Sequence, residues 1–310
     1  MTHVYQRITI LTGMLLVACF AAGQSATSQA AETPTPGDHD GSMRWSGRDR
    51  TYRIYLPRDY DGSHEMPLLI AMHGGLSTGS IFEDQTHFDR IADKYGFVVA
   101  YPDGWRRSWN AGSCCGSAST HDIDDVGFIK ALKARLVEQL AIDPRRVYGT
   151  GFSNGAMLVQ RIACEAPHTL AAVASVEGGL MIPFSSCTTN IPTATLLIGG
   201  LEDERVPWDG GTVRGTYRPS ARQMITLVGK RNQCTVSTRT VHDADQVLCK
   251  TRNECATGYP VSWCRIANGG HQWAGGETYF EWLLGPNNEK FDASEYIWQF
   301  LSRFRLPANS

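Results

Sequence analysis

Gly151-Phe152-Ser153-Asn154-Gly155 is the stretch that most narrows what this chain can fold into, because of what flanks it. Upstream, Arg146-Val147-Tyr148-Gly149-Thr150 reads as a short strand; downstream, Asn154 to Glu165 reads as a helix that stops at Pro167. A Gly-x-Ser-x-Gly between a strand and a helix marks a tight, strained turn that projects a serine hydroxyl from the top of a sheet. Any Cβ at 151 or 155 would crowd the strand–helix crossing that the turn requires. The bare pentapeptide also occurs as an ordinary Gly-rich turn. Its strand–turn–helix setting is what favours the elbow.

Two further constellations follow in order. Leu197-Ile198-Gly199-Gly200-Leu201-Glu202-Asp203 is an apolar strand running into an acidic loop, and Ala267-Asn268-Gly269-Gly270-His271-Gln272-Trp273 sets a histidine in a Gly-rich loop after a strand from Val261 to Ile266. Serine is a poor nucleophile at its own pKa, so a base such as His271 must take its proton, with Asp203 holding the imidazole in the right tautomer. Ser153, Asp203, His271 is the α/β-hydrolase order and differs from those of chymotrypsin and subtilisin. Taken singly, a loop histidine or a loop aspartate is more often a turn residue. Glu202, Glu204 and Asp209 compete with Asp203 for the acid. The apolar run Leu68 to Met72 ends in His73-Gly74-Gly75, where backbone N–H groups of Gly75 and Asn154 would converge on an oxyanion. His73 reads as a structural support for that loop.

A coarse pass along the chain gives strands alternating with helices. Thr51 to Leu56, Pro67 to Met72, Gly96 to Tyr101 and Leu170 to Val176 read as strands. Ile129, Leu132, Leu136 and Leu140 mark one helical face, with Asp124 or Asp125 as its N-cap; a metal pair is the less favoured reading of the two carboxylates. Ala221, Met224, Ile225 and Val228 form a second helical stripe, and Asp292-x-x-Glu295 opens a final helix. The expectation is an α/β-hydrolase fold, a mostly parallel doubly wound sheet with helices on both faces, and a site at the carboxyl ends of its strands.

In these segments the chain resembles the polyhydroxybutyrate depolymerase and feruloyl esterase-like group of α/β-hydrolases, sometimes placed with carbohydrate esterase family one. The resemblance spans about residues 45–305 and rests on His73-Gly74-Gly75, Trp109-Asn110-Ala111-Gly112-Ser113-Cys114-Cys115-Gly116, Asp124-Asp125-Val126-Gly127-Phe128-Ile129, Gly151 to Gly155, Asp203 and Gly270-His271-Gln272-Trp273. It departs at two points: the acid loop begins Gly199-Gly200 where His-Gly is frequent, and Ala274 follows Trp273 where proline is usual. The resemblance implies a serine ester hydrolase with no cofactor. Trp109 and Trp273 are candidates to line an aromatic or sugar-binding cleft, with core packing the competing reading for any one tryptophan. The short run after His271 leaves no room for a separate surface-binding module, which tilts the expectation toward soluble hydroxycinnamoyl or acetyl esters of polysaccharide, or hydroxyalkanoate oligomers. An exported peptidase or thioesterase is the alternative, since amides and thioesters pass through the same intermediate. A non-catalytic binder on the same scaffold ranks lower.

Net charge is −2, with no long basic or acidic run, so neither nucleic acid nor an anionic membrane is expected as partner. No repeat, metal or dinucleotide fingerprint is present. Residues 1–22 read as an export signal, with Arg7 before an apolar stretch too short to span a bilayer comfortably. Leu16-Val17-Ala18-Cys19 also reads as a lipoprotein cleavage site, which would make Cys19 a lipid anchor, and a cut near Ala22 or Ala30 competes with it. Residues 23–42 read as a flexible leader and residues 43–310 as one catalytic domain. Secretion or a periplasmic, cell-envelope location follows. Besides Cys19 there are eight cysteines, Cys114, Cys115, Cys164, Cys187, Cys234, Cys249, Cys255 and Cys264, an even set that suggests four disulfides. Cys114 and Cys115 are expected to reach different partners, one of them Cys164, while Cys249 and Cys255 close a short loop.

Overall fold

Short apolar runs separated by amphipathic helices must bury two faces at once, and here they do so as one large sheet. The computed structural model describes residue 1, residues 34–187 and residues 191–308. Apart from Met1, the segment read as an export signal, Cys19 included, lies outside them. Strands β1 (Gly37–Trp45), β2 (Arg48–Leu56) and β3 (Met66–Met72) come first, then helices α1 (Gly79–Thr86) and α2 (Phe88–Tyr95) and strand β4 (Val98–Pro102). Helices α3 (Gly116–Thr120) and α4 (Asp125–Gln139) lead into β5 (Ile142–Phe152), α5 (Asn154–Glu165), β6 (Ala172–Val176) and β7 (Ala194–Gly200). A small hairpin, β8 (Gly211–Val213) and β9 (Thr216–Arg218), precedes α6 (Ala221–Arg231). Strands β10 (Arg239–Ala244), β11 (Val247–Arg252) and β12 (Val261–Ile266) follow, and α7 (Glu281–Leu284) and α8 (Ala293–Leu301) close the fold.

The sheet has ten strands in the order β1-β2-β4-β3-β5-β6-β7-β12-β11-β10. Its middle, from β4 to β12, is parallel, and an antiparallel pair extends each edge. Parallel strands covered on both faces have no polar side to show, and all seven residues of β3 are buried. Alternation along that strand divides the core. Leu69 and Ala71 join Phe82 of α1, Ile91 of α2 and Ile297 of α8, whereas Leu68, Ile70 and Met72 join Phe128 of α4 and Leu158 of α5. A third cluster seats Met224, Ile225 and Val228 of α6 against Leu197 and Val261.

The caps settle the paired aspartates. Asp124 accepts the Gly127 N–H at 2.8 Å and starts α4, while Asp125 is buried in an ion pair with Arg50 at 2.8 Å. Asp292 accepts the Glu295 N–H at 2.9 Å and starts α8.

Two expectations need correction. The segment 23–42 is not leader throughout, because β1 begins at Gly37 and pairs with β2 along its whole length. As an edge strand it alternates half-buried with exposed residues, so its composition reads like a linker. The disulfide connectivity also differs. Cys114 bonds its neighbour Cys115, Cys164 bonds Cys187, Cys234 bonds Cys255 and Cys249 bonds Cys264. Cys249 and Cys264 stand opposite each other on β11 and β12, and Cys234 and Cys255 meet across an isolated bridge. The β11–β12 register decides the first pair and a local bridge outside the strands decides the second, and neither is visible in cysteine spacing.

Candidate active site

The carboxyl ends of β3, β5, β6, β7 and β12 each deliver one part of the site. Ser153 sits between β5 and α5 at φ 50°, a left-handed conformation that costs a side-chain-bearing residue energy. Neighbouring backbone holds it there: the Ser153 N–H donates to the Val176 carbonyl at 2.9 Å, and the Ser153 carbonyl accepts from Met157 at 2.9 Å. The flanking glycines are required by contact. A Cβ on Gly155 would lie 2.1 Å from the Met72 carbonyl oxygen, and one on Gly151 would lie 2.6 Å from the Gly155 carbonyl carbon.

The loop after β12 brings His271 to the serine, with Nε2 2.9 Å from Ser153 Oγ. On the other side of the ring, Nδ1 is 2.7 Å from Asp203 Oδ2. With Nδ1 carrying the proton, the ring donates to Asp203 and accepts from the serine hydroxyl. Asp203 is 3% exposed and Oδ1 accepts the N–H groups of Arg205 at 2.7 Å and Val206 at 2.9 Å. Burial pushes its pKa up, but hydrogen bonding and attraction to His271, with help from Glu177 and Val206, prevail and hold it at about 2. The competing acids Glu202, Glu204 and Asp209 are all exposed. The two loops are also tied to each other by Glu202 N–H donating to Gly269 at 2.8 Å.

Beside the serine, a Cβ on Gly74 would lie 3.6 Å from Ser153 Cβ, and one on Gly75 would lie 3.9 Å from Asn154 Cβ. The Gly74–Gly75 loop therefore packs directly against the Ser153–Asn154 turn. Among the described residues, no loop carbonyl takes up the Gly75 or the Asn154 N–H. His73 is fully buried beneath them; its Nδ1 donates to the Gly74 carbonyl at 2.6 Å and its Nε2 accepts the Gly104 N–H at 2.9 Å. Burial lowers its pKa to about 4, so the ring is neutral and serves as a brace.

The two tryptophans read as cleft walls are fully buried, and that expectation is corrected. An indole N–H inside a core needs an acceptor, and each has found one. Trp109 Nε1 donates to the His73 carbonyl at 2.9 Å, while the Asn154 side chain accepts from Trp109 N at 2.7 Å and donates to its carbonyl at 3.0 Å. Trp109 thus buttresses the Gly74–Gly75 loop and the elbow. Trp273 Nε1 donates to Ser294 Oγ at 2.9 Å, and its ring meets Phe82 and Phe88 edge-on, fastening the histidine loop to α1, α2 and α8.

Sequence reading missed two features. Glu177, 3% exposed at the end of β6, accepts the Gly200 N–H at 2.7 Å next to Asp203. Its only local signal was a carboxylate at the end of an apolar strand. The second is an exposed apolar rim, Phe280, Trp282 and Leu283, on the segment carrying α7. That segment is fixed to the histidine loop by His271 N–H donating to Leu284 at 2.6 Å and Gln272 Nε2 donating to Tyr279 at 2.7 Å.

Comparison with known proteins agrees with this layout. The family model described as "Esterase PHB depolymerase" matches residues 50–200. Feruloyl esterase B of Piromyces equi is 26% identical over 267 residues, covering 82% of this chain and 45% of that protein, so this chain spans less than half its length. Feruloyl esterase C of Emericella nidulans is 28% identical over 222 residues, covering 67% of this chain and 76% of that protein. The solved structure of a ferulic acid esterase from Anaeromyces mucronatus superposes with a TM-score of 0.53 at 14% identity, covering 89% of this chain and 93% of that one. At that identity the likeness speaks for the fold.

Proposed function

We propose that this chain, which belongs to the polyhydroxybutyrate depolymerase and feruloyl esterase-like family of α/β-hydrolases, hydrolyses carboxylic esters through an acyl-enzyme on Ser153. The observation that carries this reading is the unbroken line from Ser153 Oγ to His271 Nε2 at 2.9 Å and from Nδ1 to Asp203 Oδ2 at 2.7 Å. Ser153 Oγ attacks the ester carbonyl as its proton passes to Nε2. Asp203, an anion over the working pH range, stabilises the imidazolium that forms. The N–H groups of Gly75 and Asn154 receive the oxyanion, each such donor being worth about 3 kcal/mol. His271 then returns the proton to the leaving alkoxide, and a water activated by the same nitrogen releases the acid and frees the serine.

The substrate class is a soluble hydroxycinnamoyl or acetyl ester of polysaccharide, or a hydroxyalkanoate oligomer. Support comes from the aromatic rim beside His271, where Trp282 is 83% and Phe280 63% exposed, a surface suited to an aryl acyl group. Four disulfides fit an oxidising compartment and support export. Methyl ferulate, p-nitrophenyl acetate and a hydroxybutyrate trimer separate the choices. Methyl ferulate is expected to give the highest kcat/KM, and Trp282→Ala to lower it about 3- to 10-fold without touching the acetate. Fastest turnover of the trimer would assign the chain to the polyester side of its family.

A further inference from the structure

Beneath the proposed triad lies a carboxyl group that the reaction scheme does not use. Glu177 follows β6 at φ 52°, a strained position for a residue with a Cβ. Its N–H donates to the Ile198 carbonyl at 2.9 Å and its Oε1 accepts the Gly200 N–H at 2.7 Å. The residue opposite is Gly199. A Cβ at 199 would stand 2.8 Å from the Trp208 ring, so the glycine there makes room for that ring, and it would be in ordinary contact with Glu177 Oε2 at 3.5 Å. Thus held, one ligand atom each of Glu177, Asp203 and His271 lie within 4.8 Å of one another.

We infer, resting on the triad reading proposed above, that Glu177 is a positioning residue which stays a neutral carboxylic acid and donates a hydrogen bond to Asp203, keeping that carboxylate aimed at His271. Two ionised carboxylates this close and this deeply buried repel, so one of them retains a proton. Among the described residues, Asp203 has three donors that favour its anion, the Arg205 and Val206 N–H groups and His271 Nδ1, whereas Glu177 has the Gly200 N–H. The proton therefore belongs to Glu177. No cation relieves it: Arg218 on β9 acts on Asp203 and forms no ion pair with Glu177 among the described residues, and Pro207, Trp208 and Met224 carry no charge. Burial first, then the charge of Asp203 and the hydrogen bond to it, push the Glu177 pKa well above the usual range.

Glutamine presents the same carbonyl and donor pattern as a neutral acid, and this makes the idea testable. In Glu177→Gln, kcat/KM is expected to stay within about 3-fold of the parent, with the acid limb of its pH profile unmoved. Glu177→Ala removes the donor and should lower kcat/KM about 10- to 100-fold. Its acid limb should move up, because a less stabilised Asp203 anion attracts the imidazolium more strongly. If Glu177 were ionised in the parent, Glu177→Gln would delete a charge and move the acid limb down by about one pH unit or more, overturning the inference.

A second measurement needs neither activity nor a variant at 177. Burial also raises Glu83, to about 8, so the Glu83→Gln protein isolates the signal of interest. With carbon-13 glutamate at pH 7, that protein should retain one side-chain carboxyl in its protonated position; finding none refutes a neutral Glu177. Failure of the triad reading looks different, since ester turnover would then survive Ser153→Ala whatever the state of Glu177.

Discussion

Ser153, the proposed nucleophile, and its two proposed partners, Asp203 and His271, sit in two differently built regions. Residues 66–176 position Ser153 through backbone contact, with β3, β5, β6 and α5 meeting so closely that glycine is the only residue that fits at 151 and 155, and through the hydrogen bonds between the Asn154 side chain and Trp109. Residues 194–285 position Asp203 and His271 on loops beyond β7 and β12, where the parallel sheet gives way to antiparallel strands. There the loops also meet closely, since a Cβ on Gly200 would lie 2.1 Å from the Gly269 carbonyl oxygen and one on Gly270 would lie 2.4 Å from that of Leu284, and loop-to-loop hydrogen bonds and the bridges Cys249–Cys264 and Cys234–Cys255 are added to that contact. The serine turn is made from close backbone contact, and the acid and histidine loops add cross-links to close contacts of the same kind.

The largest effect should come from breaking the first region. Gly155→Ala places a methyl 2.1 Å from a carbonyl oxygen that belongs to a central strand and cannot yield. A loss above about 4 kcal/mol is expected, read from urea unfolding. A stable, active Gly155→Ala would show that the elbow does not depend on that contact.

A smaller effect is expected in the second region. Converting Cys249 and Cys264 to alanine opens a loop of sequence separation 15, and about 3 kcal/mol of stability should go with it. Because β12 leads into the histidine loop, kcat should fall while binding of fluorophosphonate inhibitors is slowed. Undiminished stability would mean that sheet pairing alone holds this half.

The two buried tryptophans give the finest distinction. Trp109→Phe and Trp273→Phe keep a ring and delete an N–H, and each should cost about 1–3 kcal/mol for the acceptor left behind. Trp109→Phe is expected to reduce kcat/KM equally for feruloyl and acetyl esters, since the buried Trp109 braces the Gly74–Gly75 loop, the proposed oxyanion site, through the His73 carbonyl. A selective loss on the feruloyl ester would return Trp109 to the cleft.

Much of this was legible in the chain because it depends on local contact. Gly-x-Ser-x-Gly between strand and helix, an acid after β7 and a histidine after β12 are each short patterns with a mechanical reason, and the structure sets these side chains in one line. The fully buried strands also announced themselves as apolar runs. What escaped depends on pairing across distance. Strand β1 is half solvent-facing and polar, the Cys249–Cys264 bond follows a register between β11 and β12, and Glu177 gains its meaning only from Asp203 beside it. The orientation of Trp109 was equally hidden, because nothing in a sequence says which carbonyl an indole will find.

The most direct test of the central claim is covalent. The folded protein is treated with a fluorophosphonate, digested and mapped by mass spectrometry. One adduct per chain is expected, on the peptide containing Ser153, absent in Ser153→Ala and strongly reduced in His271→Ala, with ester turnover lost in step. Full ester turnover after complete modification of Ser153, or labelling of a different serine that tracks with activity, would contradict it.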